Sequence, residues 1–285
     1  MGPVGGPVWR VGERAFDCSE RTLVMGILNV TPDSFSDGGR FLDPEAAVRH
    51  GVQMAAEGAD LVDVGGESTR PGSDPVLADE EIGRVVPVIA RLAEEIPSVP
   101  ISIDTRKPEV AAAALEAGAT IVNDVSGGRD LAMFDLVRAR GAAVVLMHMR
   151  GEPRTMQEAP TYDDVFGEVH EHLRERIEAA ELAGIDPDRI VIDPGIGFGK
   201  GFEHNLELIR RIDGFLDLGR PVLVGPSRKR FIGTILDLPE DRRVEGTIGA
   251  AAWLVARGAH IVRVHDVREV VRAIRVVDAI AGSGS

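Results

Sequence analysis

The chain has 285 residues, of which 44% are hydrophobic and 27% are charged, a globular composition that excludes a disordered or fibrous protein. Its formal net charge of −14 disfavours binding to a nucleic-acid backbone. The single cysteine, Cys18, cannot form an internal disulfide, and neither a signal peptide nor an apolar run long enough for a membrane span is evident. We therefore expect a soluble, cytoplasmic protein.

Short runs rich in Val, Ile and Leu alternate with stretches of helical period along the whole chain. The runs predict eight buried strands, at 22–28, 61–64, 101–104, 120–124, 144–148, 190–193, 221–225 and 260–265. Four strands directly follow a Gly-Ala pair, at 58–59, 118–119, 141–142 and 258–259. This pattern is typical of a helix that ends on a left-handed glycine before the chain turns into a strand.

Helical signals lie between these strands. Asp43 followed by Pro44 predicts an N-cap and a first helical residue, and Pro108 predicts the start of another helix. Apolar residues at a spacing of four predict one buried helix face over 163–181, and a final helix is expected over 267–280.

Eight strands that are each followed by a helix, and that are too apolar to face water, predict a single (β/α)8 TIM barrel over residues 21–282. The main alternative is a doubly wound sheet, which normally has a G-x-G-x-x-G turn after its first strand; ILNVTPDSF stands there instead. Residues 1–20 predict an N-terminal extension with a short hairpin under the barrel.

Every predicted strand ends in a polar or ionisable residue, and functional residues of a barrel lie at these ends. They are Asn29, Asp63 with Glu67, Asp104, Asn123 with Asp124, His148, Asp193, Ser227 to Lys229, and Arg263 with His265. For any one residue, capping a helix is at least as good an explanation as contacting a ligand. The complete ring, however, predicts a site, because burying so many unpaired polar groups would be costly.

The ring combines two kinds of chemistry. Asp104, Asn123 and Asp193 offer acceptors for the donor-rich edge of an aminopyrimidine such as a pterin or guanine. Cationic donors suited to phosphate lie mainly after the last two strands and comprise Lys229, Arg263 and His265, with Arg70 from the second loop. Together they predict a phosphorylated heterocycle as the ligand.

Two long loops, 29–41 and 65–75, are rich in Gly, Pro, Ser and Asp, a composition expected of mobile lids and also of plain connectors. Phe35 favours the lid interpretation, because only 4% of the chain is aromatic and a Phe among polar lid residues is expected to cover something flat.

Eight motifs in order over residues 22–280 resemble the dihydropteroate synthase family of the bacterial folate pathway. They are MGILNVTPDSFSDGG, DVGGESTRPG, SIDT, NDVSGG, LMHMRGEPRTMQ, DPGIGFGK, VGPSRKRFIG and RVHDV. The resemblance implies a (β/α)8 barrel that condenses 6-hydroxymethyl-7,8-dihydropterin diphosphate with 4-aminobenzoate and releases diphosphate with Mg²⁺ present.

The resemblance also implies residue roles. Asn29 matches the asparagine that contacts the Mg²⁺-diphosphate, and Arg263 and His265 match the diphosphate anchors. The residues that match the pterin site are Asp104, Asn123, Asp193 and Lys229, with Met147 against the pterin. The residues that match the second lid and the walls of the aminobenzoate site are Thr69, Arg70, Pro71, Phe35 and Phe198.

Our mechanistic hypothesis is dissociative substitution at the pterin methylene, with Asp104, Lys229, Arg263 and His265 as the catalytic residues. Arg263, His265 and Mg²⁺ stabilise the leaving diphosphate, while Asp104 and Asp193 favour a cation delocalised into the dihydropterin. The arylamine is neutral near pH 7 and needs no strong base, so His148 is expected to be structural.

One position departs from the family pattern: Arg230 stands where many members carry a serine that helps to hold the aminobenzoate carboxylate. Arg230 could bind that carboxylate itself or point away from it.

Two other functions stay open, a catalytically silent paralogue and a pterin-binding methyltransferase. The intact TPDSFSDGG and STRPG segments and the Arg263-Val264-His265 segment argue against them. The family implies a homodimer, for which 248–255 and 267–280 offer apolar residues that could equally be buried against the barrel.

Overall fold

Eight parallel strands form the centre of the molecule. The computed structural model of the chain describes residues 6–31, 43–68, 75–152, 154–158 and 160–282. The barrel strands are β3 Leu23–Asn29, β4 Leu61–Gly65, β5 Ile101–Asp104, β6 Ile121–Asp124, β7 Ala143–Met147, β8 Ile190–Asp193, β9 Leu223–Val224 and β10 Ile261–Val264. Their order is β8-β7-β6-β5-β4-β3-β10-β9, and a parallel bridge between Ile192 and Val222 joins the two ends. The predicted (β/α)8 barrel and its eight strands are confirmed.

Helices follow the strands and cover the outside of the barrel. They are α1 Pro44–Ala56, α2 Ala78–Glu95, α3 Pro108–Glu116, α4 Leu131–Arg140, α5 Val165–Leu182, α6 Phe202–Arg210, α7 Arg230–Leu236, α8 Val244–Ala256 and α9 Val267–Ala281. The predicted helix starts are confirmed, because Asp43 Oδ1 accepts a hydrogen bond from the Glu45 amide and Pro44 and Pro108 are first helical residues. The apolar face predicted for α5 is confirmed, because its residues at a spacing of four, from Val165 to Ile177, are buried.

The predicted left-handed glycines are present where helices turn into strands. Gly58 has φ +102° and Gly258 has φ +101°, a conformation in which any side chain would be strained. Each glycine is followed by a buried alanine, so the chain enters the next strand within three residues.

The interior of the barrel has an apolar lower part and a polar upper part. Side chains of a strand alternate between its two faces, so every second residue points inward. In β4 and β6 the inward sequence changes from Leu61 and Ile121, in one apolar cluster, to Asp63 and Asn123, which are joined by a hydrogen bond. The strands therefore deliver polar groups to the carboxyl-end mouth of the barrel.

An antiparallel hairpin, β1 Val8–Val11 and β2 Arg14–Asp17, closes the opposite end. Trp9 on β1 is completely buried in the lower apolar cluster, together with Val11 and Cys18. The predicted hairpin is confirmed, whereas the division of the chain at residue 20 stays a prediction. In the described part of the chain no helix is both long and apolar enough to cross a membrane.

Candidate active site

Arg263 joins two carboxylates at the mouth of the barrel. Its Nε donates to Asp63 Oδ2 and its Nη2 donates to Asp104 Oδ2, each over 2.6 Å. Asp63 Oδ2 also accepts from Asn123 Nδ2 over 2.9 Å. Side chains of β4, β5, β6 and β10 are thereby locked into one network.

Burial and charge act against each other in this network. Burial raises the pKa of Asp104 to about 7, and the Arg263 guanidinium limits the rise. Burial alone would lower the pKa of Arg263, but the carboxylates of Asp63 and Asp104 outweigh it and raise this pKa. Arg263 therefore stays cationic beside an Asp104 that can titrate near neutral pH.

Asp193 and Lys229 occupy the next part of the mouth. Asp193 Oδ1 accepts from the Gly195 amide over 2.7 Å; burial raises the pKa of Asp193 to about 6, and this hydrogen bond and nearby cations oppose the rise. Burial and the charge of Arg263 lower the pKa of Lys229 to about 8. The Lys229 ammonium lies 4.0 Å from the centre of the Phe198 ring, a cation–π contact.

The turn that presents Lys229 is strained. Arg228 has φ +56°, an unfavourable conformation for a residue with a side chain. The turn is held by an ion pair between Arg228 and Asp266, by Thr247 Oγ1, which accepts from the Arg228 amide over 3.1 Å, and by Arg243, which donates to the Arg228 carbonyl over 2.9 Å. These contacts fix the direction in which Lys229 leaves the turn.

His265 is also held in place, but it is neutral. Burial and, to a smaller extent, nearby cations lower the pKa of His265 to about 3, so the ring is neutral here, whereas the sequence predicts a cationic donor. Ser227 Oγ accepts from the His265 amide over 3.1 Å and lies 2.9 Å from its Nδ1. Because Oγ already accepts, its hydroxyl can donate to Nδ1, and the Nε2–H is then left to donate to a ligand.

Met147 and Phe198 form an apolar wall beside these charges. They belong to one buried cluster with Val125, Met149 and Met156. The predicted pterin contact and the predicted aminobenzoate wall are thus brought together on one side of the mouth.

The Asn29 side chain suits the predicted Mg²⁺ only as a single oxygen ligand. At Gly65, an added Cβ would lie 3.8 Å from Asn29 Oδ1 and 3.7 Å from Asp104 Oδ2, so the glycine leaves room between them. Among the described residues no group of three or more His, Cys, Asp or Glu could hold a metal ion. Mg²⁺ is commonly held by one or two protein oxygens together with substrate phosphates and water, so this donor set fits a metal that arrives with a diphosphate.

Phe35, Thr69, Arg70 and Pro71 lie outside the described residues. Arg230 is exposed at the first position of α7, and the two roles that the sequence leaves open for it stay predictions.

Other members of the strand-end ring brace loops. Asp124 accepts from Ser126 and from the Gly128 amide, as a turn-capping residue does. His148 contacts a buried Lys200, in agreement with the structural role expected for it. Sequence reasoning placed Asp63 in the ring but assigned it no role, and it missed Lys200 entirely. Only the inward position of Asp63 on β4 could have indicated its partners.

We expect Asp63→Asn to lower the free energy of unfolding by about 3 kcal/mol, because it removes one partner of a buried ion pair. The residue is completely buried and binds both Arg263 and Asn123. Urea unfolding measures the effect. The matched control is Asp213→Asn, which breaks a surface ion pair with Arg257 and should cost less than about 1 kcal/mol. Equal losses of unfolding free energy in the two variants would contradict the claim that the buried contacts of Asp63 hold the network together.

Comparison with known proteins agrees with this site. Residues 25–265 match the family described as "Pterin binding enzyme". The dihydropteroate synthase of Synechocystis sp. is 45% identical over 276 residues, which cover 96% of this chain and 95% of that protein. A Xanthomonas albilineans dihydropteroate synthase solved with 4-aminobenzoic acid superimposes with a TM-score of 0.90 at 48% identity, over 97% of this chain and 98% of that one. Another structure of that enzyme, in complex with 7,8-dihydropteroate, has a TM-score of 0.87 at 46% identity and covers 96% and 99% of the two chains.

A (β/α)8 barrel whose mouth joins carboxylates to fixed cations defines, with these matches, an enzyme of the pterin-binding class. Within that class, the chain belongs to the dihydropteroate synthase family.

Proposed function

We propose that the chain condenses 6-hydroxymethyl-7,8-dihydropterin diphosphate with 4-aminobenzoate, giving 7,8-dihydropteroate and diphosphate, in tetrahydrofolate biosynthesis. The observation that carries the proposal is the direct link between acceptor groups and cations in one mouth, where Arg263 contacts Asp104 over 2.6 Å. The structures of a related enzyme with 4-aminobenzoic acid and with 7,8-dihydropteroate support this choice of substrates.

Acceptor groups recognise the pterin. Asp104 and Asp193 offer carboxylate oxygens to ring and amino N–H groups. Asn123 uses its Nδ2 on Asp63, which leaves its Oδ1 as a further acceptor for the ligand. Met147 provides an apolar contact for the flat ring, and Lys229 provides a donor for its carbonyl edge.

Fixed donors stabilise the leaving diphosphate. Arg263 supplies a permanent positive charge, and neutral His265 supplies its Nε2–H. Mg²⁺, held by Asn29 and the diphosphate oxygens, would supply additional positive charge to the leaving group. Because Ser227 and the two carboxylates already orient these side chains, little reorganisation is needed as charge develops.

The substitution is dissociative in this proposal. As the methylene C–O bond breaks, positive charge spreads into the dihydropterin, where the carboxylates of Asp104 and Asp193 stabilise it. The neutral amine of 4-aminobenzoate then forms the C–N bond and releases a proton. In this scheme the loops 29–41 and 65–75 exclude water from the cation, with Thr69, Arg70 and Pro71 as residues of the second lid. Phe35 and Phe198 act as the walls of the aminobenzoate site.

Release of diphosphate on mixing the protein with Mg²⁺, the pterin diphosphate and 4-aminobenzoate tests the function. We expect release that depends on 4-aminobenzoate and that is strongly reduced in Asp193→Asn and Lys229→Ala, which change a carboxylate and a cation of the same mouth. Tight binding of the pterin diphosphate without release would identify a silent paralogue instead.

A homodimer located in the cytoplasm completes the proposal. Helices α7, α8 and α9 leave apolar side chains exposed, namely Ile235, Leu236, Trp253, Val276 and Ile280. The alternative that the barrel buries all of this surface is therefore wrong. We expect sedimentation equilibrium to give twice the chain mass of 30.5 kDa, and Trp253→Asp to shift the protein toward monomer. A wild-type monomer at micromolar concentration would contradict the dimer.

A further inference from the structure

Lys200 is a buried lysine that the proposed reaction does not use. It follows β8 by seven residues, only 2% of its surface is exposed, and it forms no ion pair within the part of the chain that the structure describes. Lysine is almost never fully buried without such a partner. Burial lowers the pKa of Lys200 to about 7, so keeping the ammonium in this position is costly.

The ammonium of Lys200 is surrounded by acceptors. Its Nζ lies 2.9 Å from His148 Nδ1, 2.9 Å from the Gly195 oxygen, 2.9 Å from the Phe198 oxygen and 3.3 Å from the His148 oxygen. Burial lowers the pKa of His148 to about 2, so its ring is neutral and Nδ1 can accept. Three N–H groups thus meet acceptors at hydrogen-bonding distance, which matches a charged lysine better than a neutral one.

These bonds fasten the segment 195–199 to the end of β7. The segment lies directly on the backbone there, because a Cβ added at Gly195 would lie 2.0 Å from the His148 oxygen. Two other carbonyl groups of the segment accept from side chains: Gly197 accepts from Gln157 over 2.6 Å, and Gly199 accepts from Tyr162 over 2.7 Å. Lys200 is the charged centre of this arrangement.

The segment controls the position of Phe198 more than that of Asp193. Asp193 belongs to β8, where it pairs with Met147 in the strand register and its carbonyl accepts from the His148 amide over 3.0 Å. Phe198 lies outside any strand, and its backbone bonds go to Gly195 and Lys200. Asp193 Oδ1 also accepts from the Gly195 amide over 2.7 Å, but the Gly195 backbone packs directly against the His148 oxygen at the end of β7. Removing the ammonium would therefore free the Phe198 wall more than the Asp193 carboxylate.

We propose that Lys200 is a positioning residue that fixes Phe198 as a wall of the aminobenzoate site and thereby sets the affinity for that substrate. The inference rests on the proposed function and on the role given to Phe198 in it. The Lys200 ammonium is buried among protein acceptors, so its removal is expected to affect the KM for one substrate selectively rather than the chemistry itself.

The test is Lys200→Met, which keeps the length of the side chain and removes all its donors. Because hydrogen bonds from a charged donor are stronger than those from a neutral one, we expect the KM for 4-aminobenzoate to rise at least about tenfold. The KM for the pterin diphosphate and kcat should change less than about threefold, a difference of under about 0.7 kcal/mol. Equal increases in both KM values, or no increase, would overturn the proposal.

Val169→Ala is the matched control for a loss of stability. Val169 is completely buried on α5, outside the barrel, so its truncation destabilises the fold without touching the segment 195–199. Val169→Ala should leave both KM values unchanged. A rise in the KM for 4-aminobenzoate alone in this control would also overturn the proposal. If Lys200→Met does not fold, Lys200→Gln, which keeps two donors, must show the same selectivity with a smaller increase. Failure of the proposed function is distinct, because wild-type protein would then release no diphosphate.

Discussion

Arg263→Ala is expected to lower kcat/KM by about a thousandfold, since fixed donors to developing charge typically account for factors of 10² to 10³ or more. The residue supplies the permanent positive charge at the leaving group in the proposed reaction. Its guanidinium also neutralises Asp63 and Asp104, which are both buried. The substitution therefore removes an anchor and leaves two carboxylates without their shared partner. Steady-state kinetics with both substrates measures the loss.

Two further variants separate charge from geometry. Arg263→Lys keeps the charge but cannot contact both carboxylates as the planar guanidinium does, so we expect an intermediate activity. Arg257→Ala removes an arginine whose ion pair with Asp213 lies on the surface, and it should leave kcat/KM unchanged. Full activity in Arg263→Ala would show that the leaving group is stabilised elsewhere.

Asp193→Asn is expected to lower kcat/KM about a hundredfold and to change its pH dependence. Burial raises the pKa of Asp193 to about 6 and that of Asp104 to about 7. Both carboxylates must be ionised to accept N–H groups and to stabilise a cation, so activity should fall as the pH is lowered through these values. Below pH 6 the logarithm of wild-type kcat/KM should fall by about two per pH unit, because two protons are taken up.

The variant should fall by about one per pH unit over the same range, because only Asp104 then titrates. Titration of the substrate diphosphate affects both proteins equally and cancels in the comparison. Parallel acid limbs in wild type and Asp193→Asn would show that the ionisation of Asp193 does not limit the reaction.

The fold could be predicted from the sequence because its signals are local. Each signal depends on only a few neighbouring residues. Examples are an apolar run of four to seven residues for a strand, a left-handed glycine such as Gly58 for a helix end, and an N-cap such as Asp43 for a helix start. The order of strands and helices then leaves few topologies. The site could be predicted as a ring once the barrel was predicted, because the carboxyl ends of parallel barrel strands must meet at one mouth.

The contacts inside that mouth could not be predicted, because they join residues distant in sequence. Arg263 and Asp63 are 200 positions apart and become partners only through the closure of the barrel. The neutral state of His265 depends on its burial and on nearby cations, neither of which the sequence displays. The buried position of Lys200 could not be predicted either, since no local pattern indicates that four acceptors surround its ammonium.

A crystal structure of the protein with Mg²⁺, the pterin diphosphate and 4-aminobenzoate tests the central claim most directly. We predict the pterin ring against Asp104, Asn123 and Asp193, the diphosphate at Arg263 and His265, and the aminobenzoate beside Phe198. A pterin bound away from these carboxylates, or a diphosphate that does not touch Arg263, would contradict the proposed site and its mechanism.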